Sequence, residues 1–572
     1  MNARLILGPA ALLLATALLM AGPGCQRRPP AEAPRRSAEA PQGDPRPGGT
    51  LRVALAGDPA PLNPLLGRRG SDLDLWHCFY PALVRCSPRG ARPPAVEGDL
   101  ARRWSWDPEG SSVRVVLQRN RYWEDTVRVR AQDVKVSYDA YRLMGLLPSR
   151  AARDSLLDPG LAGVEALDDS TLLFRFRPGY ASWRIWPTLA WPILPAHRLG
   201  TLSRPLLETS PLAREPLSAG PLRLVEWRPG HNLRAAANSR APAGSRPYTR
   251  IVSFEPCPGA VSRILRAQLG LADVAIDVAV NRLGFVLGPE PAVRAERAGV
   301  LSVEMIAWNV LQPALPPGLR RAIDLSIDRQ RLVEVLLSWR GESFGGAAAG
   351  VLEPAGPPAG DSSLAVGPIP RHDPIQAGLL LDDLAWIEQD TDGYRRRAGL
   401  PLEIELIYER ESELHERIAT CLEEDLYRVG VRLNPVALES SSFWRRYRLG
   451  LYQGALVGFC PPLVPDLHPL WGTGGTWNTG GYSSSAVDSL LAEQARAASP
   501  AEVEALSRRI EAIIRRDRPV TFLCYREQVD LVSSRVGGYR GSRDVAESLR
   551  GVWLADTLDA EPGQIETAGS DL

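Results

Sequence analysis

Residues 456–484, LVGFCPPLVPDLHPLWGTGGTWNTGGYSS, hold the densest set of groups able to form a binding surface. Phe459, Trp471, Trp477 and Tyr482 offer rings, Asn478 offers an amide, and Asp466 is the only formal charge. Rings with a few polar groups make the wall of a small-molecule pocket rather than an acid-base pair. Rich in Pro, Gly and Trp, the segment lacks helical or strand period, so its backbone groups need partners outside a regular ladder. A long irregular stretch in a compact protein is functional or disordered, and its rings argue against disorder. Two readings stand side by side: a ligand wall, and a loop whose rings plug a core.

Groups that do covalent or metal chemistry are not arranged for it. The histidines, His77, His197, His231, His372, His415 and His468, are scattered, with no HExxH and no His/Cys cluster at ligand spacing. There is no GxSxG elbow and no Walker loop, and GTGGTWNTGG lacks the strand-to-helix setting of a phosphate cradle. Glu423 with Glu424, and Asp382 with Asp383, read as solvated helix faces. The expectation is therefore no catalytic residue, no metal and no cofactor.

A chain of 572 residues exceeds what one hydrophobic core supports, so two or more lobes must position any site. Net charge is +1, which gives no reason to expect a nucleic-acid partner. Lys135 is the only lysine among 67 basic residues, a compositional bias rather than a site. At the start, Arg4 precedes an apolar run over residues 5–20, then AGPGC ending at Cys25, the pattern of a secretory signal. Gly24 before Cys25 resembles a bacterial lipobox, although Gly22 and Pro23 depart from it; lipidation of Cys25 and plain cleavage are the two outcomes. Residues 26–47 are Pro-, Ala- and Arg-rich and read as a tether. Seven cysteines leave an even number once Cys25 is set aside, compatible with disulfides in an oxidising compartment but fixing no pairing.

Periodicity then gives the elements. Residues 48–59, GGTLRVALAGDP, alternate as a strand ending in a turn; a helix is expected over 72–84 and a strand through Val113, Val115 and Leu117. A helix opens at Ala131 with Val134, Tyr138, Tyr141 and Leu143 inward. The strongest central helix spans 319–337 behind Pro316 and Pro317, and its Asp328 and Arg329 read as a helix-end or surface pair. Asp373 caps a helix with Pro374 at its first position. Residues 401–408 form a strand, 412–431 a helix with Cys421 on its apolar face, and VRLNPVAL a second strand, a βαβ unit with a right-handed crossover. Two helices and the strand VTFLCYREQVDLV follow, then a polar tail over 557–572.

The order GGTLRVAL, LARRWSWDPEG, VRVVLQRNRYWED, VRAQDVKVSYDAYR, then GVEALDDSTLLFRFRP, WPILPAHRL, PLSAGPLRLVEWRPG, GLADVAI and LRRAIDLSIDRQRL, resembles bacterial extracellular solute-binding protein family 5, the peptide- and nickel-binding components of ABC importers. Thr126 stands where the family's turn after the aromatic-Xaa-Asp has glycine. The resemblance implies a two-lobed α/β periplasmic binding protein, type II and cluster C-like, with mixed sheets flanked by helices, a hinge and an extra subdomain. It places lobe 1 at 48–85, 206–301 and 524–556, the extra subdomain at 86–205 and lobe 2 at 302–523, with hinge crossings near 302–309 and 521–529. Carried over residue by residue, the aspartate that pairs with a peptide's α-amino group in oligopeptide-binding members falls on Pro462, and proline offers only a carbonyl. Asp466 can substitute or can cap a helix. Arg410 is the nearest candidate for a ligand carboxylate, Asn309 closes the first hinge strand, and the four rings fit a stacking wall. The implied function is capture of a peptide or another small solute, such as an opine, sugar derivative or metal chelate, for a membrane permease, by a lipid-anchored monomer of the periplasm or cell envelope. A secreted two-lobed hydrolase, or a surface scaffold without ligand, are the rival classes.

Overall fold

A computed structural model of the chain describes residues 40–555 apart from 60, 67–74, 88–94, 108–109, 145–160, 178–184, 200–210, 288–290, 353–368, 462–465 and 498. The signal segment with Cys25, the tether up to residue 39, Pro462 and the polar tail lie outside the described residues; residues 40–47 of the tether form neither helix nor strand.

An 11-stranded mixed sheet runs through both lobes. Its order is Arg432–Leu438, Glu403–Glu409, Gly454–Phe459, Val293–Trp308, Val520–Ser533, Val274–Ala275, Thr50–Leu55, Ile251–Pro256, Asn232–Ala237 and Leu222–Arg228, with Gly345–Ala347 also on Val520–Ser533. The two long strands, Val293–Trp308 and Val520–Ser533, pair antiparallel along almost their whole length and so belong to both lobes. Alternation explains how they carry two cores: Val303, Met305 and Ala307 pack into one face of the second lobe, Ile306 and Trp308 into the other. Thr50–Leu55 is covered on both faces, with Leu51 and Val53 in one core and Ala54 in another.

A separate antiparallel sheet, Ala101–Trp106, Ser112–Leu117, Thr171–Phe176 and Leu161–Ala166 in spatial order, packs with the helix Ala131–Leu143 into the same core as Leu51 and Val53. Val134, Tyr138 and Tyr141 of that helix are buried, but Leu143 is 65% exposed, because it follows Tyr141 by two residues, about half a turn, and so points away from the inner stripe. Among the described residues no helix is long and apolar enough to cross a membrane.

Several local expectations change. The helix expected over 72–84 is, within the described residues, only Trp76–Phe79; Pro81 interrupts the run and Val84–Ser87 is a strand. The single helix over 319–337 is two, Pro317–Ser326 and Arg329–Leu336, because Ile327 is extended and Asp328 caps the second by accepting from the Arg331 amide. Residues 454–459 form a strand and His468–Trp471 a short helix, so the aromatic stretch is less irregular than its composition. Asp373 caps its helix as read, accepting from the Gln376 amide at 2.9 Å, and the structure adds Ser412 as the cap of Glu413–Tyr427. Cys78, Cys86, Cys257, Cys421, Cys460 and Cys524 are all free thiols.

Thr126 sits at φ +71° in the turn closed by its amide on the Trp123 carbonyl at 3.0 Å. A β-branched residue is strained there, and this one is exposed, so its side chain gives little back. Thr126→Gly should stabilise the protein by roughly 0.5–1 kcal/mol after glycine's entropy is counted, read as a higher urea midpoint at unchanged slope.

Candidate functional site between opposed strand ends

In the second lobe Glu403–Glu409, Arg432–Leu438 and Gly454–Phe459 are parallel. In the first, Thr50–Leu55, Ile251–Pro256 and Val274–Ala275 are parallel. The long strands fix which way each set points. Gly454 pairs with Trp308 and Phe459 with Val303, so that set advances toward the first lobe. Val274 pairs with Val532, and the Val278 amide reaches the Val529 carbonyl, so the other set advances toward the second. The carboxyl ends of the two sets therefore face each other across the stretch from Arg297 to Val303, about 20 Å of extended chain. Ligands of open α/β sheets bind outside the carboxyl ends of strands, and here two such edges form the two sides of one cleft.

The connecting stretch is irregular. The ladder shifts between Arg297 and Val300, between Val300 and Ser302, and between Glu304 and Met305, and Gly299 has φ +98°. Residues 303–308 pair with Gly454–Phe459 in the second lobe; two of the three ladder shifts fall at 297–302, and the third, between Glu304 and Met305, falls within the 302–309 that the family resemblance implied. Bulges of this kind break the ladder and bend a strand.

The residues singled out from the sequence divide between the two ends of the second lobe's sheet. Phe459 ends its strand at the cleft, half-buried against the lobe's core, and exposed Cys460 follows. Arg410 lies at the same edge, exposed, its amide on the Leu438 carbonyl at 2.7 Å. Pro462 is outside the described residues. Asp466 accepts from the His468 amide at 3.2 Å at the start of the short helix. Trp471 is 3% exposed and meets Phe522 edge to face at 6.2 Å, inside the core.

Asn309, Trp477, Asn478 and Tyr482 gather at the other end, where Trp308 pairs with Gly454, about 17 Å of strand from Phe459. Asn478 donates to the Gly472 and Tyr482 carbonyls at 2.8 and 2.7 Å and accepts from the Tyr482 amide at 3.0 Å, so its amide closes the loop on itself. Asn309 donates to the Gly450 carbonyl at 2.8 Å and accepts from the Leu311 amide at 3.1 Å. Tyr482 donates to Asp517 at 2.8 Å, and Trp477 packs edge-on to Trp444 at 6.1 Å. A Cβ on Gly480 would stand 2.1 Å from the Trp308 carbonyl oxygen, so this glycine permits a close backbone approach. The aromatic stretch thus starts at the cleft and ends as a brace across the far end of the sheet.

Polar contacts that the sequence did not single out join the two edges. Arg526 pairs with Asp277 at 3.0 Å and Arg282 with Glu413 at 2.5 Å. Arg543 Nη1 donates to the Val300 carbonyl at 3.3 Å, and its Nη2 lies 2.6 Å from Cys460 Sγ. Glu304 is 2% exposed and meets His415 Nε2 at 3.0 Å. Burial opposes its ionisation, but bonds from His415 and Ser302 and the charges of His415 and Arg526 hold its carboxyl below the ordinary value. Gly458 makes room for it, since a Cβ there would stand 2.8 Å from Glu304 Oε2. The signal was present as a lone acid inside the apolar run VLSVEMIAW. Among the described residues no three His, Cys, Asp or Glu side chains are grouped to hold a metal ion.

Comparison with known proteins agrees with this geometry. Residues 95–479 match the family described as bacterial extracellular solute-binding proteins, family 5. The probable D,D-dipeptide-binding periplasmic protein DdpA of Escherichia coli is 23% identical over 420 residues, 72% of this chain and 74% of that protein. The oligopeptide-binding protein AppA of Bacillus subtilis is 22% identical over 545 residues, 91% of this chain and 94% of that protein. The structure of AppA with a nonapeptide superposes with TM-score 0.71 at 21% identity, covering 90% of this chain and all 100% of that one. NikA from Brucella suis with Fe(III)-EDTA gives TM-score 0.75 at 16% identity, over 88% of this chain and 100% of that one. With its family match covering more than half its length and its fold that of these two-lobed proteins, the chain belongs to family 5 of the bacterial extracellular solute-binding proteins.

Proposed function

We propose that this protein is the extracytoplasmic solute-capturing component of an ABC importer, without catalysis of its own. It encloses a peptide or similar small solute between its lobes and hands it to a membrane permease as a monomer anchored through acylated Cys25. The observation that carries this is the pair of opposed carboxyl edges spanned by two long strands whose ladder shifts register at 297–302. Such a connection lets two rigid cores close on a ligand, and the lobes divide near residues 302 and 523. Peptide is the first class to test because DdpA and AppA carry peptide names.

Mass spectrometry of the tagless mature protein should find a copurifying small solute, and the same spectrum should read acyl chains on the N-terminal cysteine. No copurifying solute, together with no thermal shift across peptides, sugars and metal chelates, would remove the reading. Phe459→Ala should weaken binding by about 1 kcal/mol, roughly fivefold, through loss of ring contact. An unchanged Kd would take Phe459 out of the site, and a large fall in Tm would make its ring a core element instead.

A further inference from the structure

The outer edge of the first lobe, opposite the cleft, holds large apolar side chains in water. The amino ends of Thr50–Leu55, Ile251–Pro256 and Val274–Ala275 lie side by side there, because the three strands are parallel and their carboxyl ends face the cleft. Hydrogen bonds knit the loops entering them into one surface. The Gly48 amide donates to the Tyr248 carbonyl at 3.0 Å, the Arg250 amide to the Gly49 carbonyl at 3.1 Å, and Arg52 Nη2 to the Gly270 carbonyl at 2.8 Å. The helix Ala260–Gln268 ends in this surface. Its last turn closes with the Leu269 amide on the Leu265 carbonyl at 2.9 Å and the Leu271 amide on the Arg266 carbonyl at 2.8 Å, with Gly270 at φ +68° between them. The turn is fixed, yet Leu269 is 68% and Leu271 49% exposed, and Tyr248 across the edge is exposed as well.

Charge along the same edge is positive. Arg52 and Arg535 share one buried carboxylate, Asp273, at 3.3 and 3.1 Å. Exposed Arg250 has no ion pair among the described residues, and Asp44 and Arg46 on the entering chain cancel. A rigid turn that presents two leucines beside a tyrosine and surplus arginines has the make-up of an interfacial anchor. Its aliphatic groups suit the acyl boundary, its ring the headgroup level, and its guanidiniums anionic phosphates. A second copy of the chain would bring the same positive charge to a self-complementary contact, so the charge favours an anionic lipid surface over self-association. The polypeptide that follows Cys25 also enters the fold at this edge, through Gly48. We infer that the outer edge of the first lobe docks on an anionic lipid surface through Leu269, Leu271 and Tyr248, with Arg250 and the surplus charge of Arg52 and Arg535 on the headgroups. The contact is separate from solute capture, whose cleft lies at the other ends of the same strands, and it needs no lipid on Cys25.

The test uses the full mature chain with Cys25→Ser, so that no acyl group contributes, and sedimentation with vesicles of phosphatidylcholine alone or in equal mixture with phosphatidylglycerol. This parent should pellet with the mixed vesicles and not with the neutral ones, and its binding should fall at high salt. Leu269→Ser with Leu271→Ser, and separately Arg250→Glu, should each weaken that partition by roughly tenfold, with melting near the parent's. Leu449→Ser with Leu451→Ser, which changes two exposed leucines at the far end of the second lobe, should leave it unchanged. No pelleting, equal pelleting on both vesicles, a Leu269 and Leu271 variant that binds as the parent does, or an equal loss from the Leu449 and Leu451 pair would each overturn the inference and leave solute capture standing. Self-association of the parent that the Leu269 and Leu271 variant abolishes, without pelleting, would overturn it in favour of a second copy.

Discussion

Arg329→Met should destabilise the protein by about 3–5 kcal/mol, measured as urea unfolding at pH 7, because it strips one partner from a buried pair. Arg329 is 2% and Asp324 6% exposed, and their side chains meet at 2.5 Å. The same guanidinium donates to the Asp324 carbonyl at 3.0 Å and, through Nε, to the Phe522 carbonyl at 2.7 Å. It therefore ties the break between two helices to the second long strand. Arg518 at 2.9 Å still touches Asp324 in the variant, which sets the loss toward the lower end of the range. Lys135→Met is the contrasting control. Its pair with Asp139 is exposed on both sides, at 40% and 46%, and should matter by less than about 1 kcal/mol. Equal effects from the two substitutions would show that the Arg329 pair is not buried in solution.

Asp530 should make the protein lose stability as pH rises from about 4 to about 6. Its side chain is fully buried on the second long strand, bonded by the Asp277 amide at 3.0 Å, Gln528 at 3.1 Å and the Tyr539 hydroxyl at 2.8 Å. Burial pushes its carboxyl up from 3.8 to about 6, and the nearby Asp277 charge adds to this against those bonds. With the folded value raised above the unfolded one, the folded state binds the proton more tightly. The stabilising contribution is complete below the unfolded value and is lost as pH climbs through the folded one, in all about 3 kcal/mol. Asp99, Glu304 and Asp544 are held below their ordinary values and act in the opposite sense, losing stability as pH falls. The readout is therefore the difference between Asp530→Asn and wild type in urea unfolding at several pH values. That difference should move in favour of the variant by about 2 kcal/mol between pH 4 and 7. A constant difference would mean that Asp530 ionises normally.

Much of the protein was legible in its sequence because local spacing and capping act within one element. Asp373 before Pro374 marks a helix start through its own cap, and the alternation of Leu402, Ile404 and Leu406 marks a strand, observed at Glu403–Glu409, although only its neighbours cover both of its faces. The order of such elements also carried the family, hence the two lobes and the capture of a solute. Where a local pattern had two outcomes, only packing chose. The run 319–337 has continuous helical spacing, yet a buried arginine pinned to another strand breaks it in two.

The cleft itself depended on contacts that spacing cannot reach. Arg526 and Asp277 are 249 residues apart, Glu304 and His415 111, and Arg543 and Cys460 83. Such pairs are created by strand order and register, which set which carboxyl ends face each other. The aromatic stretch illustrates the division. Its sequence determined that the backbone needed partners and that the rings would pack. Tertiary structure decided that Phe459 ends at the cleft while Trp477, Asn478 and Tyr482 close the far end, because the strand pairing Val303 with Phe459 and Trp308 with Gly454 holds those ends apart.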